Sequence, residues 1–216
     1  MNYTKVDLNT WDRKEHFEFY RQRVRCGFSL TTKLDITTLR TSLTENRYQF
    51  YPVMIYLITR VVNQLPEFRL AIKEDELICW ERVDPAFTIF HKKTETFSVL
   101  WSRYSENIAC FMTDYAAVMA EYQDNTRMFP QGNMPENHLN ISSLPWVEFD
   151  GFNLNIADFT DYFSPTFTMA KFYQEGGRIL LPLSVQVHHA ACDGFHVAKF
   201  INKLQLACGN LMNLNN

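Results

Sequence analysis

The segment 178–209 constrains the fold of this chain most, because a strand pattern passes directly into a helix pattern within it. Apolar residues first alternate at Leu181, Leu183, Val185 and Val187, as expected for a strand with one face turned to a core. The small residues 190–192 then permit a tight turn, and Asp193 stands where a helix N-cap belongs. An apolar stripe at helical spacing follows, at Val197, Phe200, Ile201 and Leu204. Gly209 suits the end of that helix, so the segment predicts a strand, a turn and a helix.

Two adjacent histidines close the predicted strand. The alternation places His189 on the apolar side, whereas Ser184, Gln186 and His188 face the opposite way. A histidine held beside a sharp turn can be fixed in one rotamer and tautomer, which suits a general base. The spacing equally allows His189 to be a hydrogen-bonded core histidine, with Asp193 serving only as a helix cap. A metal shared by His188, His189 and Asp193 is disfavoured, since adjacent strand residues point to opposite faces.

Length and composition exclude several classes of protein. The 216 residues with 46% hydrophobic content can bury one core, so we predict a single domain spanning 1–216. The net charge is only -3 and no basic run occurs, which argues against a nucleic-acid partner. The polar N-terminus and the lack of an apolar run of about 18 residues predict no membrane span and a cytoplasmic protein. Five widely spaced cysteines without a CxxC pair are expected to be free thiols.

Local signals predict an alternation of helices and strands. The spacing of Asp12 and Glu15 predicts a helix that begins near residue 12, Asp35 can cap a second helix, and Pro52 fits the first turn of a third. A further helix is predicted over 107–122. Strands are predicted within 69–80, on either side of a turn, and at 86–90, 96–101, 138–142, 166–173 and 178–189. This order predicts a two-layer α/β domain.

Further motifs then give the chain a family resemblance. His188 to Gly194 read HHAACDG, which matches the HHxxxDG motif of CoA-dependent acyltransferases. Acyltransferase cores of 2-oxo-acid dehydrogenase complexes and condensation domains of peptide synthetases share this motif. The surrounding segments resemble the chloramphenicol acetyltransferase family from end to end. They are WDRKEHFE at 11–18, FYP at 50–52, ETFS at 95–98, NIS at 140–142 with PW at 145–146, FTMAK at 167–171 and QVHH at 186–189.

The resemblance implies a fold, a reaction and roles for individual residues. It implies a mixed β-sheet covered by helices, and acetyl transfer from acetyl-CoA to the 3-hydroxyl of chloramphenicol without an acyl-enzyme. His189 matches the general base, and Ser142 matches the hydroxyl that stabilises the oxyanion of the intermediate. Thr168 matches a residue that holds an ordered water nearby. The alternative interpretations are a turn residue at the end of a strand for Ser142 and an ordinary β-branched strand residue for Thr168.

Other positions match the supporting and binding residues of that family. Asp193 and Arg13 match an ion pair that supports the turn of the catalytic histidine. The positions that match the antibiotic pocket are Phe19, Tyr20, Cys26, Phe28, Phe97, Phe129 and Leu154. Those that match the neighbourhood of CoA are Tyr51, Trp146 and Phe172; Phe172 replaces a tyrosine that is common in the family. The resemblance implies no permanently bound cofactor and no metal, with acetyl-CoA as a co-substrate.

The resemblance also implies a homotrimer whose active sites lie between subunits, with His189 from one chain and much of the pocket, including Tyr20 and Phe28, from its neighbour. The aromatic content of 15% is compatible with such pockets and interfaces. Three alternatives share the motif or the fold: a 2-oxo-acid dehydrogenase core, a condensation domain, and a ligand-binding scaffold without activity. The segments beyond the motif argue against the first two, and the joint presence of His189, Ser142, Asp193 and Arg13 argues against the third.

Overall fold

The strands of the protein form two separate sheets. In this computed structural model, which describes residues 2–211, the strands are β1 (Tyr3–Lys5), β2 (Gly27–Asp35), β3 (Leu70–Lys73), β4 (Glu76–Trp80), β5 (Asp84–His91), β6 (Thr96–Trp101), β7 (His138–Leu144), β8 (Thr166–Ala170), β9 (Tyr173–Glu175) and β10 (Arg178–His188). The larger sheet has the order β2-β10-β8-β7-β5-β6, with β9 also paired to β10, and the smaller has the order β1-β4-β3. Strand β7 runs parallel to β5 and β8, whereas the other pairs are antiparallel.

The helices connect these strands and cover one face of the larger sheet. They are α1 (Lys14–Glu18), α2 (Thr37–Asn46), α3 (Phe50–Asn63), α4 (Ile108–Tyr122) and α5 (Gly194–Gly209), together with a π-helix over Phe19–Val24 and a 3-10 turn over Pro66–Arg69. Helix α3 is apolar around most of its circumference, and side chains 53–58 are completely buried. A helix of this kind belongs inside a core. The mixed sheet with covering helices confirms the predicted α/β fold class.

The two faces of the larger sheet differ in chemistry. Residues opposite each other in a register share a face, and one row across the sheet is apolar: Phe87, Ile141, Phe167, Val185 and Leu30. This row faces the helices, because the ring of Phe167 packs 4.9 Å from that of Phe200 in α5. The next row carries hydroxyls: Ser142, Thr168, Ser184 and Thr31. Sheet alternation therefore separates a packing face from a polar face.

A long loop over 149–163 lies on the polar face. The Ser184 hydroxyl donates to the carbonyl of Phe152 over 2.5 Å. The Gln186 amide both accepts from the Leu154 N–H (2.7 Å) and donates to the Leu154 carbonyl (2.9 Å). Side chains of even-numbered β10 residues thus satisfy the backbone of a loop that has no sheet partner of its own. The predicted opposite orientation of Ser184 and Gln186 is confirmed.

Several element boundaries differ from those predicted. Asp12 caps no helix: α1 begins at Lys14, and no side chain caps its first turn. Asp35 does accept from the Thr37 N–H over 3.0 Å, although it precedes the N-cap position by one residue. The predicted strand 166–173 is interrupted after Ala170, because Tyr173 pairs separately with β10. The last strand ends at His188, one residue earlier than predicted.

Candidate active site

His189 is the first residue after β10, and its position is set by the backbone. Its N–H donates to the carbonyl of Cys26 over 3.0 Å. Its half-buried ring stacks on Tyr20, with centroids 3.8 Å apart and planes 6° from parallel. Phe28 contacts the ring from another direction at 5.0 Å. Aromatic contacts therefore hold the imidazole by its ring, and neither ring nitrogen hydrogen-bonds to another residue within 2–211.

His188 lies in a different environment from its neighbour. It is 1% exposed, and its ring stacks on Phe163 of the covering loop at 4.3 Å and 9°. Its Nδ1 accepts from the Ala190 N–H over 2.9 Å, so the neutral ring carries its proton on Nε2. Burial lowers the pKa of His188 to about 4. This histidine is therefore uncharged at neutral pH and structural, which confirms that the two histidines have different environments.

The turn after His189 is tied to the start of α5. The N–H groups of Ala191 and Cys192 donate to the His188 carbonyl over 3.1 and 3.0 Å. Asp193 is the N-cap, as predicted, and accepts from the Phe195 N–H over 3.1 Å. Its carboxylate also lies 2.5 Å from the Arg13 guanidinium. Partial burial alone would raise the pKa of Asp193, but Arg13 and His196 outweigh burial and hold this pKa below its ordinary value.

Ser142 and Thr168 form the hydroxyl pair of the site. They are register partners on the parallel strands β7 and β8, and their hydroxyl oxygens are 3.1 Å apart. Thr168 is 2% exposed, whereas Ser142 is half-buried. One of these hydroxyls donates to the other, and the pair lies on the polar face of the sheet.

Within a single chain, the hydroxyl pair and His189 are far apart. Ser142 and Thr168 are level with Ser184 of β10, and His189 follows Ser184 by five residues. A strand rises about 3.3 Å per residue, so the separation along the strand is roughly 15 Å. Strand β7 is also two places away from β10 in the sheet, which adds about 10 Å sideways. The two groups of one chain therefore cannot contact the same small reacting centre.

The residues predicted to line the antibiotic pocket fall into two groups. Tyr20, Phe28 and Cys26 lie around His189 of the same chain. The expectation that Tyr20 and Phe28 reach His189 from another subunit is thus wrong, because the π-helix and β2 place them beside the end of β10. The second group is unusually exposed for apolar side chains: Phe19 46%, Phe97 47%, Phe129 46% and Leu154 47%. None of these four side chains makes a ring contact with His189 within 2–211.

The residues predicted to contact CoA make separate contacts. The Tyr51 hydroxyl is used internally and donates to the Thr88 carbonyl over 2.9 Å. Trp146 is 58% exposed and packs edge-on against Phe90. Phe172 lies under the guanidinium of Arg40, whose central carbon is 4.9 Å from the ring centroid. Within 2–211, no hydrogen bond or ring contact joins these three residues directly.

Two further properties concern ions and membranes. Residues 2–211 contain no group of three or more His, Cys, Asp or Glu side chains arranged to hold a metal ion. Over the same residues, no helix combines the length and apolar character that crossing a bilayer requires. The five cysteines are free thiols, as predicted.

Sequence reasoning missed three contributors to the site. The π-helix that carries Tyr20 has no distinctive sequence signal, and the clamp between Gln186 and Leu154 joins residues distant in sequence. His196 completes a reciprocal cap with Asp193, whose N–H donates to His196 Nδ1 over 3.1 Å. The spacing of Asp193 and His196 is that of a capping box. That spacing could have singled out His196.

Two solved structures share the fold of this protein. A chloramphenicol acetyltransferase superposes with a TM-score of 0.83 at 20% identity, covering 94% of this chain and 98% of that one. The cubic core of the pyruvate dehydrogenase multienzyme complex superposes with a TM-score of 0.69 at 17% identity, covering 87% and 83%. At these identities the likeness shows the fold alone.

Sequence comparisons then define the family. The family model for chloramphenicol acetyltransferase matches residues 1–205. The chain is 68% identical to chloramphenicol acetyltransferase 2 of Escherichia coli, over 98% of this chain and 100% of that protein. It is 47% identical to chloramphenicol acetyltransferase of Proteus mirabilis, over 94% and 93%. The chain belongs to the chloramphenicol acetyltransferase family and is an acetyltransferase.

Proposed function

We propose that this enzyme transfers acetyl from acetyl-CoA to the 3-hydroxyl of chloramphenicol, at sites formed between the subunits of a homotrimer. Family membership and the 68% identity to a chloramphenicol acetyltransferase support the substrates. The separation of His189 from Ser142 within one chain carries the proposal of a shared site. Each site would combine His189 of one subunit with Ser142 of the next.

His189 acts as the general base in this mechanism. Its imidazole takes the proton of the substrate hydroxyl as the oxygen attacks the thioester carbonyl, and a tetrahedral intermediate forms without an acyl-enzyme. The imidazolium then returns the proton to the sulfur of CoA as the carbon–sulfur bond breaks. Contacts with Tyr20 and Phe28 orient the ring without occupying its nitrogens. A positioned base of this kind typically contributes a rate factor of about 10²–10⁴.

The Ser142 hydroxyl donates a hydrogen bond to the oxyanion of that intermediate. A hydrogen bond from Thr168 to the Ser142 oxygen, across their separation of 3.1 Å, would leave the Ser142 hydrogen directed at substrate. Removing one such donor typically lowers kcat by about 10²–10³-fold. Thr168 would thus orient Ser142 in addition to any contact with water.

Exposed apolar side chains supply the rest of the proposed pocket. Phe19, Phe97, Phe129 and Leu154 are each about half exposed in one chain, and association of subunits with bound antibiotic would cover them. For the co-substrate we propose contacts with Tyr51, Trp146 and Phe172. Phe172 has no hydroxyl, so its contribution would come from the ring face and from Arg40, which lies over it.

Release of CoA thiol tests the reaction directly. Purified enzyme with acetyl-CoA and chloramphenicol should release free thiol, whereas the 3-O-acetylated antibiotic should release none initially, since its primary hydroxyl is blocked. Dihydrolipoamide serves as the control acceptor. Faster release with dihydrolipoamide than with chloramphenicol would contradict the proposed substrate.

Mixed oligomers test the shared site. His189→Ala and Ser142→Ala should each be nearly inactive as pure oligomers. When the two are unfolded and refolded together in equal amounts, about a quarter of interfaces should pair an intact His189 with an intact Ser142, and activity should return to about a quarter of wild type. Inactive mixtures that contain verified hybrid oligomers would show that the two residues act within one chain.

A further inference from the structure

The 3-10 turn Pro66–Arg69 lies beside the turn that follows His189, and core packing holds it in place. Phe68 is 2% exposed, and its ring packs 6.4 Å from Phe167 and 5.3 Å from Phe200. Leu65, just before the turn, is 1% exposed. Because the residues on either side of Glu67 are held in this way, its backbone has little freedom to move.

Glu67 contacts the region after His189 in two ways. Its backbone carbonyl accepts from the Cys192 thiol over 3.4 Å. Its carboxylate Oε1 lies 3.6 Å from His196 Nε2, and the side chain is only 21% exposed. The other carboxylate oxygen is buried without a hydrogen-bond partner within 2–211. Burying a carboxylate costs free energy, so packing alone does not account for an acidic residue here.

His196 connects Glu67 to the helix cap. Its Nδ1 lies 2.9 Å from the Asp193 carboxylate, while its Nε2 faces Glu67. Because Nδ1 accepts from the Asp193 N–H over 3.1 Å, Nε2 carries the N–H that faces Glu67, and the imidazole links the backbone of the cap residue to the Glu67 carboxylate. Asp193 in turn pairs with Arg13. The four side chains form one network, with exposed fractions of 21% for Glu67, 11% for His196, 34% for Asp193 and 16% for Arg13.

This network reaches the His189 ring from both sides. Cys192 and Asp193 belong to the turn that follows His189, and Arg13 precedes α1, which continues into the π-helix that carries Tyr20. A shift at Asp193 therefore displaces the imidazole, and a shift at Arg13 displaces the ring stacked on it. We propose that Glu67, acting through His196, is a positioning residue for His189. This inference rests on the proposed role of His189 as the base.

The test compares two single variants with the double variant that combines them. Glu67→Gln keeps the size of the side chain and removes its charge. His196→Asn keeps a polar atom near the Nδ1 position for Asp193 and removes the atom that faces Glu67. Each should lower kcat on the order of tenfold through misplacement of the base, with KM for both substrates and the unfolding midpoint nearly unchanged. If Glu67 acts through His196, the double variant should be no slower than the slower single variant.

Glu76→Gln is the matched control, since it removes a carboxylate paired with Lys5 on the exposed hairpin, and its kcat should equal that of wild type. An unchanged kcat in Glu67→Gln would overturn the inference. A double variant whose loss of kcat is the product of the two single losses would do the same. So would losses of kcat that equal the fraction of unfolded protein in each variant. His189→Ala, measured in parallel, separates the two hypotheses. If that variant keeps its activity, the proposed base is wrong, whatever Glu67 does.

Discussion

His188 and His189 are adjacent in sequence, but they occupy contrasting environments. His188 lies inside the sheet, is 1% exposed and is stacked on Phe163. His189 lies one residue beyond the strand, half-buried, with contacts to its ring and none to its nitrogens from residues within 2–211. The comparison shows that the end of strand β10 separates two environments. His188, the last residue of the strand, packs in the interior, whereas His189, the next residue, keeps its ring nitrogens free of hydrogen bonds to residues within 2–211.

The largest expected difference between the two histidines is in activity. His189→Ala should lower kcat by about 10²–10⁴-fold, because a general base is lost. Its unfolding free energy should change by less than about 1 kcal/mol, since the half-buried ring leaves no closed cavity. Steady-state thiol release and urea unfolding at one protein concentration measure both. Comparable losses of kcat in well-folded His188→Ala and His189→Ala would contradict the assignment of catalysis to His189 alone.

For His188, the larger expected effect of substitution is on the free energy of unfolding and the smaller effect is on kcat. His188→Ala deletes a buried ring and should lower the unfolding free energy by about 2–4 kcal/mol, as other large-to-small core substitutions do. The molecules that remain folded should keep most of their kcat. His16→Ala, an exposed histidine of α1, is the control and should change the unfolding free energy by less than about 0.5 kcal/mol. Equal stability of His188→Ala and His16→Ala would contradict the buried role.

The pH dependence of stability sharpens the comparison. Burial lowers the pKa of His188 from 6.5 to about 4, so the unfolded chain binds the proton at a higher pH than the folded chain does. The stability contributed by the neutral ring is complete above about pH 6.5 and is lost as the pH falls toward 4. The total loss of unfolding free energy is about 3 kcal/mol at most. His188→Asn can still accept from the Ala190 N–H without titrating, so its acid loss should be smaller. Parallel acid profiles for both proteins would rule out this linkage.

The smallest effect concerns the ion pair that supports the turn of His189. Arg13→Ala and Asp193→Asn should each destabilise the protein, and the double variant should lose about 1 kcal/mol less than the sum, because one contact can be lost only once. Urea unfolding of the four proteins gives this coupling energy. Additive losses would mean that Arg13 and Asp193 contribute independently.

Much of the fold could be predicted from sequence because its signals are local. The alternation over 181–187 and the cap at Asp193 predicted strand β10 and helix α5. Asp12 misled the prediction, since a capping side chain is effective only where the backbone makes its N–H groups available. The roles proposed for Ser142 and Thr168 came from the family resemblance, because register between distant strands has no local signal. The same limit hid Glu67, which meets His196 only after folding.

The two faces of the larger sheet also affect how the enzyme can evolve. On the helix-covered face, Phe167 and Val185 are completely buried, so a change of size there disturbs neighbours across the whole core. On the other face, small hydroxyl residues such as Thr31 and Ser184 meet loop backbone instead. Exposed side chains of that loop, such as Leu154, can be substituted with little effect on the packed layer. Selection can therefore alter the exposed part of the polar face while the helical layer preserves a stable scaffold.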